Sequence, residues 1–254
     1  MNFDANVWLY SLTNISVRYF LLASVSFLLF YILFPKVVEK IKIQKKFPKN
    51  SDYYRDIGYS IVSMLIFASM AYFCFTALKP YNNINYGEII NPYWYALSFV
   101  WMFFLHDTYF YWCHRAMHHP LLYRKVHLIH HKSTNPSPWT AYAFHPLEAI
   151  LEAGIIPLVA FTIPVHRTAF FMFMLFQIIY NIYGHLGYEL YPKNFHKTKI
   201  GKWVNTSVAH NQHHKSFFGN YGLYTLIWDR WLGTVREDYD KTYEAVKKWT
   251  FLSL

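Results

Sequence analysis

Long uncharged runs alternate along this chain with short segments rich in basic residues or histidine. Tyr19 to Pro35 carries no charge over seventeen residues and is flanked by Arg18 and Lys36. That is the minimum for a helix crossing a bilayer, and it can be lengthened because an arginine stem lies along lipid while its head reaches water. Gly58 to Leu78 is a second uncharged stretch, of twenty-one residues. Between the two, Lys36, Lys40, Lys42, Lys45, Lys46, Lys49 and Arg55 crowd a segment that holds only Glu39, Asp52 and Asp56, and such an excess of basic charge predicts the cytosolic side. The loop from Lys79 to Asn91 carries just Lys79 and Glu88 and is expected to face outward.

A third run starts at Pro92, stays apolar through Leu105, meets His106 and Asp107, and continues into His114 and Arg115. Ala149 to Val165 contains Pro157 and Pro164, and Thr168 to Gly184 is again uncharged, so His166 and Arg167 mark the tip of either two full spans or a re-entrant pair. Beyond His185 the chain is polar, basic and aromatic. The pattern predicts an all-α, integral membrane helical bundle of about four spans, or two spans plus a re-entrant hairpin, near residues 19–35, 58–78, 92–113 and 149–184. Residues 114–148 and 185–254 are expected to form a helical cap on the cytosolic face. One domain over residues 1–254, without repeats or linkers, is the economical reading.

Composition agrees. Hydrophobic residues make up 54% and charged residues 15%, against about a quarter charged in soluble proteins, which excludes a small soluble domain and a disordered chain. The 24 Lys and Arg against 14 Asp and Glu are read against a membrane surface, with no nucleic acid expected. Two cysteines, Cys74 and Cys113, give neither a disulfide framework nor a thiolate metal cage. Asp4 is the first charge, and the absence of a basic n-region predicts no removable signal peptide.

Fourteen histidines exceed any packing need. They concentrate as His114-Arg-Ala-Met-His118-His119, His127-Leu-Ile-His130-His131 and His210-Asn-Gln-His213-His214. On a helix, positions i, i+3 and i+4 share one face, so each His-x-x-His-His triplet is expected to present three imidazoles together, and His114 with His118 a matching pair. Eight imidazoles are too many for one tetrahedral zinc but suit two five- or six-coordinate metals. A solvated histidine-rich face would not require the same spacing twice.

The residues from about Val100 to Thr234 resemble the fatty acid hydroxylase/sterol desaturase superfamily of membrane non-haem di-iron oxygenases. The resemblance is carried by His106-Asp-x-Tyr-Phe-Tyr-Trp-x-His114-Arg-x-x-His118, Leu122-Tyr-Arg-x-x-His127-x-x-His130-His131, and Ala143-Phe-His145-Pro-x-Glu148. It continues through His185-Leu-Gly-Tyr-Glu189, His210-x-x-His213-His214, Asn220-Tyr-Gly222 and Trp228-Asp-x-x-x-Gly233-Thr234. It implies metal ligation by His114, His118, His127, His130, His131, His210, His213 and His214, with His185 as a ninth ligand, and two iron ions, for which zinc can substitute in purified protein. Around them, Glu189 is either a carboxylate ligand or a supporting partner. His145 is a ligand, a substrate-facing residue or a plain loop residue. Asp107 either orients an imidazole or packs with His106 at the membrane boundary. Glu148 and Glu152 face protein or the cavity, or stabilise a helix N-terminus. His119, His166 and His196 fall outside the pattern.

The activity implied is dioxygen-dependent hydroxylation or desaturation of a lipid: sterol, fatty acyl, sphingolipid or similar. The location implied is the bacterial inner membrane or the endoplasmic reticulum, with the active site on the cytosolic side. A metal-binding or metal-transport membrane protein is the alternative, but it would need polar residues in its spans, and those before His106 offer almost none. No Gly-x-Gly-x-x-Gly turn, flavin, haem or cysteine-rich cluster motif is present. An external electron donor such as a ferredoxin or small cytochrome is therefore expected, meeting a basic face of Lys193, Lys197, Lys199, Lys202, Lys241, Lys247 and Lys248.

Overall fold

The computed structural model describes residues 3–88 and 91–248. Residues 89–90 of the expected outward loop and 249–254 of the expected cap lie outside the described residues. Helix α1 (Ala5–Phe27) begins at Asp4, whose carboxylate accepts the N–H groups of Asn6 and Val7. A π-helical turn, Leu28–Leu33, extends it into one rod of 29 residues, Ala5–Leu33. The first span therefore starts well before the expected Tyr19 and takes Arg18 inside it. Residues 5–17 are uncharged too, and Asp4 serves as a cap, satisfying N–H groups that would otherwise be bare.

A one-turn helix, α2 (Pro35–Val38), leads into the basic segment. Helix α3 (Asn50–Phe75) also starts earlier than the expected Gly58, with Asp52, Arg55 and Asp56 in its first turns. The rods Ala5–Leu33 and Asn50–Phe75 are the two helices among the described residues long and apolar enough to cross a membrane. Helix α4 (Pro92–Met117) has the length, at 26 residues, but its tyrosines, tryptophans and histidines dilute its hydropathy. Two such helices, rather than about four, meet the standard.

After α4 come α5 (Pro120–Val126) and α6 (Leu128–His131), the first helices of the segment expected to form the cap. The expected apolar run from Ala149 is broken: α7 (Pro146–Ala153) and α8 (Ile155–Thr162) meet at Gly154. Each would rise only about 12 Å, well short of a hydrocarbon core about 30 Å thick. Ile163, pushed extended by Pro164, ends α8. Strand β1 (Ile84–Asn85) then pairs in parallel with β2 (Val165–His166), pinning the tip of this arm before α9 (Arg167–Gly184) returns. The cap closes with α10 (Ser207–Ser216), α11 (Ile227–Trp231) and α12 (Tyr239–Lys247).

Apolar packing has three centres. Met102, Val159 and Phe173 lie between α4, α8 and α9; Tyr19, Ala149 and Ile178 between α1, α7 and α9; Val208, Leu226 and Tyr243 beneath the cap. Tyr19 anchors the second centre, donating to the Trp139 carbonyl at 2.7 Å. Among the described residues of α1, only Tyr19 and Ala23 are buried.

Candidate metal centre

Nine histidines converge. The end of α4 supplies His114 and, one residue beyond, His118; α5 and α6 supply His127, His130 and His131; the residue after α9 is His185; and α10 supplies His210, His213 and His214. They form two groups that could each hold a metal ion: His114, His118, His127, His131 and His213 in one, and His130, His185, His210 and His214 in the other. Contrary to the expectation, neither triplet presents its three imidazoles together. The i, i+4 pairs 127/131 and 210/214 stay within one group, and the i+3 histidines, His130 and His213, cross to the other. An i, i+4 pair is offset by about 40° around a helix and an i, i+3 pair by about 60° the other way, so a seam between two sites divides them thus.

The ring orientations suit ligation. Nδ1 of His114 donates to the Tyr221 carbonyl at 2.8 Å, that of His213 to the Gly219 carbonyl at 2.7 Å, that of His185 to the Asn181 carbonyl at 2.8 Å, and that of His214 to the Ser133 carbonyl at 3.1 Å. His127 Nδ1 lies 2.6 Å from the buried Glu148 carboxylate. A proton fixed on Nδ1 leaves the Nε2 lone pair for a metal. The Nε2 atoms approach one another: His114 to His127 at 3.1 Å, His118 to His213 at 3.1 Å, His210 to His185 at 2.9 Å, and His130 to His185 at 3.3 Å. Adjacent nitrogens on one ion with bonds of about 2.0–2.1 Å would be separated by about 2.9–3.4 Å. Both ring nitrogens of buried His131 lack a hydrogen-bond partner, and a metal would engage one of them. Burial lowers the pKa of His131 to about 3 and of His185 to about 4, so both are neutral, the form that ligates, near pH 7.

Carboxylates hold the frame. Asp229 accepts the N–H groups of Tyr221 and Gly222 at 2.9 and 2.8 Å and the Thr234 hydroxyl at 2.7 Å, fixing the loop whose carbonyls aim His114 and His213. Gly222 is required there, since a Cβ would stand 2.0 Å from the Thr225 carbonyl oxygen. Of the two roles expected of Asp107, orienting an imidazole or packing with His106, its described hydrogen bonds include no imidazole: it accepts the backbone N–H groups of Tyr224 and Thr225 at 2.8 and 3.0 Å, and its neighbour His106 bonds the Tyr224 hydroxyl. Glu189 is not within either group. It accepts from Val208 N–H at 3.0 Å, Tyr191 N–H at 3.0 Å and Tyr183 hydroxyl at 2.8 Å, so it seats the start of α10. His145 caps α7 through its bond from Leu147 N–H at 3.3 Å and also lies outside both groups.

The remaining histidines and two unread contacts complete the account. Exposed His119 caps α5, His166 caps α9, and buried His196 lies against Tyr243 with ring centroids 4.1 Å apart. Sequence reading missed Asp56, which accepts the Ser133 and Thr140 hydroxyls at 2.7 Å and so ties α3 to the loop after His131. It also missed Gln44, whose amide reaches the Thr134 carbonyl at 2.8 Å and Asn211 at 2.9 Å. A charged residue at the start of a long apolar helix was the available signal for Asp56; Gln44 offered none.

An apolar cavity of about 90 Å³, open on one side, lies between α1, α3, α7, α8 and α9. Phe144 lines it and stands with its ring centroid 5.0 Å from that of His130, so the cavity abuts the second histidine group.

A family model described as fatty acid hydroxylase matches residues 99–234. A protein of Neurospora crassa named probable Delta(7)-sterol 5(6)-desaturase is 29% identical over 245 residues, covering 95% of this chain and 66% of that protein. The Delta(7)-sterol 5(6)-desaturase of Leptosphaeria maculans is 32% identical over 142 residues, 56% of this chain and 38% of that one. Human lathosterol oxidase is 31% identical over 135 residues, 53% of this chain and 44% of that protein. The chain thus spans less than two thirds of the length of these relatives. No solved structure matches it.

Proposed function

The chain belongs to the fatty acid hydroxylase family, and from that premise we propose that it is a membrane oxidoreductase that hydroxylates or desaturates a lipid at a pair of histidine-held iron ions, consuming dioxygen. One observation carries the reading: nine buried or half-buried imidazoles form two adjoining metal-sized groups, and one of them meets an apolar cavity at Phe144. When bound, two irons supply the redox chemistry that makes dioxygen competent to attack an unactivated C–H bond.

The chain's own residues do the rest. His114, His118, His127, His131 and His213 would hold one ion, and His130, His185, His210 and His214 the other. Glu148 orients His127 and retains a second, unbonded carboxylate oxygen, Oε2, at its edge. Asp229 keeps the Tyr221 and Gly219 carbonyls against their imidazoles, so each ring stays in one tautomer. Cavity walls such as Phe67, Ile155, Ile156 and Phe170 exclude water and align an apolar chain with Phe144, which positions one carbon for attack. The apolar rods insert the body in a membrane. The location remains the endoplasmic reticulum or a bacterial inner membrane with the histidines cytosolic, one catalytic domain filling residues 1–254.

Electrons would come from an acidic carrier docking on Lys193, Lys199, Lys202, Lys241 and Lys248, all exposed. Lys247 departs from that face, being buried with its ammonium donating to the Glu189 carbonyl at 2.6 Å; Lys197 pairs with Glu244. Sterol is the first substrate class to assay, given the relatives' names. The test compares lipid extracts of a host with and without the gene by mass spectrometry. A gain of one oxygen or a loss of two hydrogens in one lipid class, absent from a His130→Ala strain, is expected; unchanged lipids with fully metallated protein would overturn the reading.

A further inference from the structure

Arg18 is the single charged residue within Ala5–Leu33. It sits near the middle of that rod, roughly 20 Å from either end at 1.5 Å per residue, too deep for its head to lie at a head-group layer. A charge at such a depth is costly and is usually paired. Here, among the described residues, no carboxylate lies within ion-pair distance of it. Its described hydrogen bonds go to backbone carbonyls: Nε to Asn14 at 3.1 Å and Nη1 to Phe171 at 3.5 Å, the second too long to be strong.

Arg18 lines the cavity that abuts the metal centre. The cavity's outer lining includes Tyr10, 64% exposed, and Phe171, 38% exposed; its inner end is Phe144 against His130. Along α9, Phe171 and His185 stand roughly 20 Å apart. Asn14 and Gln177 share the lining and could serve a neutral hydroxyl or carbonyl without the cost of a charge, so the guanidinium selects for an oxyanion. Glu152, on the α7 wall, is the cavity's carboxylate and does not pair with it.

We propose that Arg18 binds the oxyanion of an acidic lipid whose apolar chain runs inward to Phe144, so that the carbon presented to the metals lies roughly 20 Å from the head group. This rests on the reading that the cavity feeds the metal centre. Carboxylate and phosphate share the required chemistry.

The test measures equilibrium binding of oleate, methyl oleate, oleoyl lysophosphatidate and cholesterol to the purified full chain in nanodiscs of neutral lipid. Wild-type protein is expected to hold oleate at least tenfold tighter than methyl oleate. Arg18→Gln should weaken oleate at least tenfold and leave the ester unchanged, with Arg18→Lys between them. Ala71→Phe, which fills the cavity, should weaken acid and ester alike. Lysophosphatidate binding tighter than oleate, and lost in Arg18→Gln, assigns a phosphate head; the reverse order assigns a carboxylate. Equal wild-type affinity for acid and ester overturns the proposal whether or not the variants fold, as does cholesterol binding tighter than both and unmoved by Arg18→Gln. Elemental analysis separates the two readings: protein that discriminates acid from ester yet takes up no metal would remove the proposed function and leave Arg18's role standing.

Discussion

Helices α1 and α10 invert the rule by which soluble proteins are built. The first is apolar almost throughout, yet Leu21 is 60% and Val17 56% exposed. The second reads Ser-Val-Ala-His-Asn-Gln-His-His-Lys-Ser, yet every residue from Ser207 to His214 is buried. In water both would be misplaced. Hydrocarbon outside would make exposed leucine cheap, and a histidine-lined centre inside makes buried polarity useful, because imidazoles such as His213 and His214 spend one nitrogen on a backbone carbonyl and leave the other for a metal.

The largest way to break this contrast is to remove what α10 is buried around. His213→Ala should lower bound metal from two ions toward one and abolish turnover, and chelation of both should make α10 an early site of proteolysis while the rod Ala5–Leu33 stays protected. Elemental analysis and limited digestion read this out; full metal content in the variant would sink the assignment. From the other side, Leu21→Lys should impair membrane insertion by about 2.5–3.5 kcal/mol if α1 faces lipid, measured with a glycosylation reporter, whereas undiminished insertion would mean that α1 is covered by protein. Glu148→Gln keeps its volume and replaces the carboxyl that orients His127, so metal affinity should fall about 10- to 100-fold in a competition titration. The smallest effect belongs to His145→Ala, which removes a helix cap worth about 1 kcal/mol; its unfolding temperature should drop slightly with metal content unchanged.

The nine converging histidines were legible because ligand chemistry fixes residue type and spacing together. Their division between two groups was not, since it depends on how α6 and α10 are rotated against each other. The sequence leaves the roles of Asp107 and Glu189 open between metal site and frame, because a carboxylate holding backbone N–H groups is indistinguishable in sequence from one serving an imidazole. The acceptors at Ser133, Gly219 and Tyr221 are main-chain carbonyls and carry no residue signature at all. Arg18 was taken as a border because charge was the ruler for the span, and a charge kept inside a helix defeats that ruler. The break at Gly154 was likewise hidden, because an apolar run looks the same whether straight or bent.

The interleaving of the two groups has a consequence for biosynthesis. When the ribosome has released residues up to His131, four imidazoles of the first group and one of the second exist, and neither set is complete. The ligands still missing follow the α7 to α9 arm, so the arm must fold back before His185 can meet His130 and before His213 can meet His118. Gln44 and Asp56, made early, bond to residues flanking histidines made later. The nascent chain therefore has partial ligand sets from His114 until His214 is made, and the full complement of ions can be held only after translation of α10 is finished. Filling of both metal-sized groups is thereby placed after synthesis of α10, once the α7 to α9 arm has already found its place.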